Sequence, residues 1–224
     1  MKRRPSRPGH GPGGRRRLPA DRASGKRKGP GVRAGAHRPS ARRVAFAAAR
    51  DRWPGADFRI AGACELPLAD GSVDGYPADE VFHELAGPDR GLAEARRVLA
   101  PGGRITLVGQ DRDTFVIDSG DPALTRTIVH ARAELTAGPH TGRRYRNLLL
   151  DARFGDVTVE VHTGVFTGPA TVPLLTGPAE GACSTGAVTR GQADGWIAEQ
   201  RARAGTDRLF LALPVLVAAA TVLK

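Results

Sequence analysis

The sequence predicts an α/β protein: a mostly parallel sheet with helices on both faces, preceded by a disordered basic tail. Three observations predict it. Strand-like and helix-like apolar periodicities alternate from Val44 onward. Gly, Pro, Asp and Ser clusters fall between them as turns. The charge is segregated along the chain. Of the 224 residues, 1–43 hold fifteen Lys/Arg and one acid, Asp21, and sum to +14. The other 181 hold nineteen Lys/Arg and twenty-two Asp/Glu and sum to −3. The high overall pI therefore belongs to the tail, which argues against a globular domain with a basic nucleic-acid face.

The tail, 1–43, has no aromatic residue, eight Gly and six Pro. It cannot bury enough apolar surface to offset its ordering entropy. Gly9, Gly11 and Gly14 fit G-x-G-x-x-G, but arginines flank them where a phosphate loop needs a buried strand and a helix. The body, 44–224, is long enough for one core and reads as one domain. Cys64 and Cys183 make no disulfide scaffold, and reduced thiols point to a cytoplasmic protein. Leu209–Leu223 is apolar for fifteen residues with Pro214 inside it. That is short of the roughly 20 needed to span a bilayer, so it reads as a buried strand.

The elements follow in order. Val44–Arg52 reads as a short helix ending before Trp53-Pro54-Gly55. Asp57–Ile60 reads as a short strand. Val73–Asp79 reads as a strand, which Pro77 disfavours at a central position. Pro88-Asp89 opens a helix with Leu92, Ala95, Val98 and Leu99 on one side, stopped by Pro101-Gly102-Gly103. Arg104–Gly109 is the next strand. Asp121 caps a helix with Pro122 at its first position and Leu124, Ile128, Ala131 and Leu135 along one face. Tyr145–Arg153 reads as a helix. Val157, Val159 and Val161 alternate with polar residues as a half-buried strand. Thr189 and Gln192 form a capping box before a helix with Trp196 and Ile197, which Gly205 ends. Leu209–Val217 closes the body as an apolar strand.

Two stretches carry a family resemblance. Leu66-Pro67-Leu68-Ala69-Asp70-Gly71-Ser72-Val73-Asp74 and Ala93-Glu94-Ala95-Arg96-Arg97-Val98-Leu99-Ala100-Pro101-Gly102-Gly103-Arg104-Ile105 lie about 20 residues apart. Together they resemble the second half of a class I S-adenosylmethionine (SAM)-dependent methyltransferase, nearest the quinone-biosynthesis-like group (methyltransferase type 11). Asp113 to Pro122 and the closing helix and strand resemble the same group. The resemblance implies an incomplete Rossmann-like methyltransferase sheet, SAM as cofactor and a small-molecule methyl acceptor. Gly102 and Gly103 build the turn between helix and strand. Asp70 and Asp74 flank a turn as structural residues.

The ligand cleft of an open α/β sheet lies at the C-terminal ends of its strands. By resemblance, backbone groups of Gly62, Ala63 and Cys64 would meet the adenine. Family members often carry an Asp where this chain has Gly62. Asp79, Glu80 and His83 would line the methionine end, with Asp79 facing the sulfonium or amino group. His83 and Glu84 are the candidates for a general base, needed only where the acceptor must lose a proton. A zinc site is not expected, because Gly87 takes the second histidine place of H-E-x-x-H. His130, His140 and His162 show no partner pattern. Asp111–Arg153 and Gly168–Thr189 would build the acceptor pocket.

The family's opening element, an apolar strand with a D-x-G-x-G-x-G loop and then an acid for the ribose, would stand before about residue 50, where the basic tail stands. The tail is accordingly read as an out-of-frame or mis-started stretch. Without that element, Val73–Asp79 should be a sheet edge or pair with Phe58–Ile60. Three functions compete: methyl transfer to a small molecule, a remnant that binds no SAM, and nonspecific polyanion binding through the tail. No membrane association is expected.

Overall fold

The computed structural model describes residues 39–223, with side chains from residue 46 onward. The expected disordered tail lies outside the described residues as far as residue 38, the Gly9–Gly14 pattern included. The first helix, α1 (Pro39–Arg52), begins five residues ahead of the expected Val44. The sheet has five strands: β1 (Val73–Asp79), β2 (Leu99–Gln110), β3 (Val116–Ile117), β4 (Phe154–Phe166) and β5 (Leu211–Val222). Five more α-helices follow among the described residues: α2 (Pro88–Val98), α3 (Pro122–Ala133), α4 (Thr141–Asp151), α5 (Val172–Ser184) and α6 (Arg190–Gly205).

The class is α/β, but the sheet is mixed rather than mostly parallel. β1 and β2 are parallel, while β5 runs antiparallel to β2, β3 and β4. The order across the sheet is β1-β2-β5-β4, with the two residues of β3 lying on the β2 side of β5. Helix α2 makes the crossover a parallel pair requires. The β4–β5 connection returns through α5 and α6 to the neighbouring place in the opposite direction, which alternation of elements alone does not reveal.

Helices cover both faces. Tyr76, Ile105 and Ala220 stand side by side in register, as do Ala78, Leu107 and Ala218. With Leu92, Ala95, Val98, Leu148 and Leu149 they form one core beneath α2 and α4. The other face carries Leu211 and Leu213, which enter a second core with Ile128, Leu175, Ala179, Trp196 and Ile197 of α3, α5 and α6. Asp121 caps α3, accepting from the N–H groups of Ala123 (3.1 Å) and Leu124 (2.9 Å). The Thr189/Gln192 capping box is present on α6.

Two expectations are corrected. Asp57–Ile60 forms no strand among the described residues: only Phe58 carries a bridge, half-buried beside Phe46, while Ile60 is exposed, so little burial fixes a register. β1 is therefore an edge, and among the described residues it pairs only with β2. Pro77 sits inside it because the Glu80 N–H donates to Val108 O at 2.9 Å. By strand alternation Tyr76 and Ala78 also turn their N–H groups to β2, and the missing donor of Pro77 falls on the open side. Pro101-Gly102-Gly103, expected to separate helix from strand, lies within β2. Gly102 takes φ +79°, and a Cβ at Gly103 would lie 2.8 Å from the Ala100 carbonyl oxygen. Both positions thus require glycine, one for its dihedral and one for space.

The segment before β1 is pinned to α2. Glu94 Oε1 accepts from the buried Leu66 N–H at 2.6 Å and from Arg97 Nη2 at 2.7 Å. Arg97 reaches Asp70 at 2.5 Å and the Leu66 carbonyl at 3.3 Å, and its own carbonyl accepts from Gly71 N–H at 2.9 Å. Hydrogen bonding to Arg97 holds the Glu94 carboxyl below the usual carboxylate range. Burial, and then the Glu94 charge, push the neighbouring Tyr76 hydroxyl up to about 12. Glu94→Ala should cost about 2 kcal/mol, because it leaves the buried Leu66 N–H without a partner. Thermal unfolding checks this; a change within error would mean the segment docks through Leu66 burial alone.

Candidate active site

The parallel strands β1 and β2 end together, and the chain after each end folds over the same place. Glu80 follows β1 with φ +56°, a left-handed conformation that costs a non-glycine residue on the order of 1 kcal/mol. The turn it starts delivers a short helix, Phe82–Glu84. His83 in that helix is 1% exposed. After β2, Asp111 and Arg112 turn across the same end.

Arg112 ties the two ends together. Its Nη2 donates to Glu80 Oε2 at 2.7 Å and approaches His83 Nε2 at 2.9 Å, while Nη1 donates to Gln110 Oε1 at 3.1 Å. A guanidinium only donates, and Nη2 has two protons: one goes to Glu80 and the other to Nε2. The neutral imidazole proton is thereby assigned to Nδ1. Glu84 Oε1 also lies 3.1 Å from Nε2. Burial first, and then the Arg112 charge, hold His83 below its ordinary pKa, against the opposing pull of Glu80 and Glu84.

Three buried atoms in this cluster have no hydrogen-bond partner: His83 Nδ1, Arg112 Nε and Tyr145 Oη. Buried polar atoms are almost always satisfied, so three together at one strand end make this cluster the candidate site. Tyr145 comes from α4, and its hydroxyl lies against Gly109 with no room there for a Cβ. The loop before α4 supports the cluster. Gly138 N–H donates to the His83 carbonyl at 2.8 Å, and Arg112 N–H donates to Pro139 O at 3.0 Å.

The sequence-predicted residues divide. Asp79, Glu80, His83 and Glu84 gather at the end of β1. Gly62, Ala63 and Cys64 form a separate tight turn, bridged between Gly62 and Glu65, that packs beside Tyr76 and Leu66. No hydrogen bond among the described residues joins that turn to the His83 cluster. Arg112 was missed as a site residue. It stands just beyond the end of strand Arg104–Gly109, where the strand-end rule could have found it. Asp113 and His140 also meet, His140 Nε2 lying 3.0 Å from Asp113 Oδ2. With Asp111 they have ligand atoms close enough to share a cation. The Arg143 guanidinium occupies that place instead, donating to both carboxylates. This ion-pair clamp holds the turn that carries Arg112.

The fold, two parallel strands with the antiparallel β5 beside them, is similar to that of solved proteins assigned as methyltransferases. A Bacillus halodurans protein assigned as a methyltransferase shares it, with a TM-score of 0.53 at 14% identity over 86% of this chain and 81% of that one. Residues 32–107 match the methyltransferase domain family. A 37.1 kDa protein of transposon Tn4556 from Streptomyces fradiae is 37% identical over 117 residues, 52% of this chain and 34% of its own length. A Mycobacterium tuberculosis protein assigned as a SAM-dependent methyltransferase is 34% identical over 126 residues, 56% of this chain and 42% of its own length. Residues 32–107 thus resemble a methyltransferase domain, and the matched stretches span less than half the length of the Streptomyces and Mycobacterium relatives. No helix among the described residues is long and apolar enough to cross a membrane.

The depressed pKa of His83 sets a pH dependence. An unfolded imidazole titrates near its ordinary value of about 6.5, and the folded one lower. Between the two values the unfolded chain binds more protons, so stability rises with pH across that window. The contribution is whole above about pH 6.5 and is lost as the pH falls toward the folded value. Melting temperatures at about pH 7.5 and 5.5 should therefore fall more for the wild type than for His83→Gln. Equal slopes would show that the folded imidazole titrates as the unfolded one does, with no depression by burial.

Proposed function

We propose that this chain forms part of a SAM-dependent methyltransferase acting on a small molecule, with its reacting site at the shared end of β1 and β2. The observation that carries the proposal is the buried His83 held by Arg112 beside Glu80 and Glu84, with unpartnered buried atoms on His83, Arg112 and Tyr145. The residues present suit the methionine end of SAM. Asp79, Glu80 and Glu84 match a ligand with cationic ammonium and sulfonium groups, and Arg112 Nε matches an acceptor oxygen. The backbone of Gly62, Ala63 and Cys64 is the proposed adenine contact. When bound, SAM supplies an electrophilic methyl group.

What remains for the chain is to place the acceptor and manage its proton. His83 Nδ1–H is a donor that orients an acceptor oxygen. Its Nε2 is engaged by Arg112, so the imidazole does not itself take a proton in this arrangement. Glu84, only partly buried and adjacent, is the group that receives one where the acceptor must lose it. Tyr145 and Gln110 close the floor. Burial raises the Tyr145 pKa, so that hydroxyl stays protonated and donates. Orientation carries most of the acceleration such a transfer needs.

A second reading is favoured by the open edge of β1. No glycine-rich loop stands beside it among the described residues, and the Asp57–Ile60 segment does not fill the place. On this reading the chain binds no SAM by itself. Polyanion binding would rest on the tail, outside the described residues.

Calorimetric titration of SAM into the purified 224-residue chain separates them. Saturable binding at about micromolar levels is expected, weakened about tenfold by Asp79→Asn. His83→Ala should keep most of the binding and lose transfer to any acceptor found. A folded sample with no saturable binding overturns the proposal in favour of the second reading.

A further inference from the structure

Among the described residues the sheet has two open edges, and they are not alike. β1 is short, and Pro77 removes a donor from its free side. β4 is thirteen residues long, and from Thr158 to Phe166 it runs in unbroken register with β5. Its residues 157–166 contain no Lys, Arg or Pro. Those are the usual devices that stop an edge from pairing. The irregular register between Gly155 and Thr158 touches only its first turn.

The side chains along this edge are apolar on one face. Val159 pairs with Ala218 and Val161 with Leu216, so both point to the side that α4 covers. Yet Val159, Val161 and Val165 are 40%, 59% and 58% exposed. The opposite face carries Glu160 and His162, with His162 Nε2 3.0 Å from Glu160 Oε2. This sequence complements itself. Laid antiparallel on a second copy about a two-fold axis through Val161, each Glu160 faces the other copy's His162. Val157 then faces Val165, Val159 faces Thr163, and the two Val161 side chains meet at the axis. Moving the axis one residue to Glu160 would set two carboxylates opposite each other. Moving it to His162 would set two imidazoles opposite each other. The charge pattern therefore selects one register.

We infer that β4 is a dimer interface, in which two copies of this chain pair their β4 edges antiparallel about Val161 and join their sheets into one. Such an interface is isologous, the arrangement a two-fold dimer needs. Backbone bonds along the edge give it strength, and the Glu160–His162 pairs give it register. It lies away from the β1–β2 end and does not depend on what binds there.

Sedimentation of the purified chain at concentrations up to about 100 µM tests the inference. The wild type should sediment as a dimer. Val161→Lys sets two like charges at the axis and should give a monomer with an unchanged circular dichroism spectrum. His162→Glu sets carboxylate against carboxylate twice and should weaken the dimer by about tenfold or more. Adding Glu160→Lys to His162→Glu restores opposite charges across the axis and should restore the dimer. A monomeric wild type overturns the inference, as does a dimer that neither single variant weakens. If Val161→Lys fails to fold, His162→Glu and its rescue decide.

Discussion

The hydrogen bonds between Glu94, Arg97 and the Leu66–Gly71 segment organise the part of the fold on which the site rests. β1 is an edge strand with one parallel neighbour, and parallel pairs are the less stable kind. Its position is fixed only if the chain entering it is fixed. Glu94 and Arg97 do this from α2, the helix that leads directly into β2. The two stretches that carry the family resemblance are therefore two sides of one contact. Asp70, Glu94 and Arg97 recur in the pattern as the pieces of a clamp, and Gly102 and Gly103 let the chain leave that clamp as a strand. Both strands then reach their C-terminal ends in a common frame, and Arg112 can bridge from one to the other.

Legibility in the sequence followed the range of the interactions. Elements set by local chemistry were readable: the Asp121 and Thr189 caps, the Leu92–Ala95–Val98 face, the limits of β1. Strand direction was not, because alternation of helices and strands says nothing about which way the last strand enters. Helix α5 was missed since Gly177-Pro178 and Gly181 read locally as loop, whereas the burial of Leu175, Ala179 and Ala182 against α3 and α6 holds them helical. Asp57–Ile60 shows the reverse error, a plausible local strand that shrinks to a single bridge residue, Phe58. In the site, the residues following β1 were legible from one strand-end argument. Arg112 and Tyr145 were not, since their roles come from meeting His83 across separations of 29 and 62 residues in sequence.

The site keeps a division between groups already engaged and groups left free. Glu80, Gln110 and one edge of His83 are spent on Arg112, and Asp111 and Asp113 are spent on Arg143. What remains without a partner is an imidazole N–H, a guanidinium Nε and a phenol, all buried. The left-handed Glu80 is the local cost of bringing the Phe82–Glu84 turn close enough to β2 for this division to exist. Stability has been given up at one residue so that buried donors converge at a strand end, the pattern expected where a protein has been shaped for a ligand rather than for packing alone.

The placement of Pro77 also makes the two sides of β1 distinguishable by amide exchange. The N–H groups of Tyr76, Ala78 and Glu80 turn inward to β2, so their protons leave only when the strand opens. Those of Gly75 and Asp79 turn outward, where no strand lies among the described residues, while Pro77 has none. A short strand of this kind would show alternating slow and fast protons rather than uniform protection. Any strand laid against its outer side would slow Gly75 and Asp79 but leave a permanent gap between them.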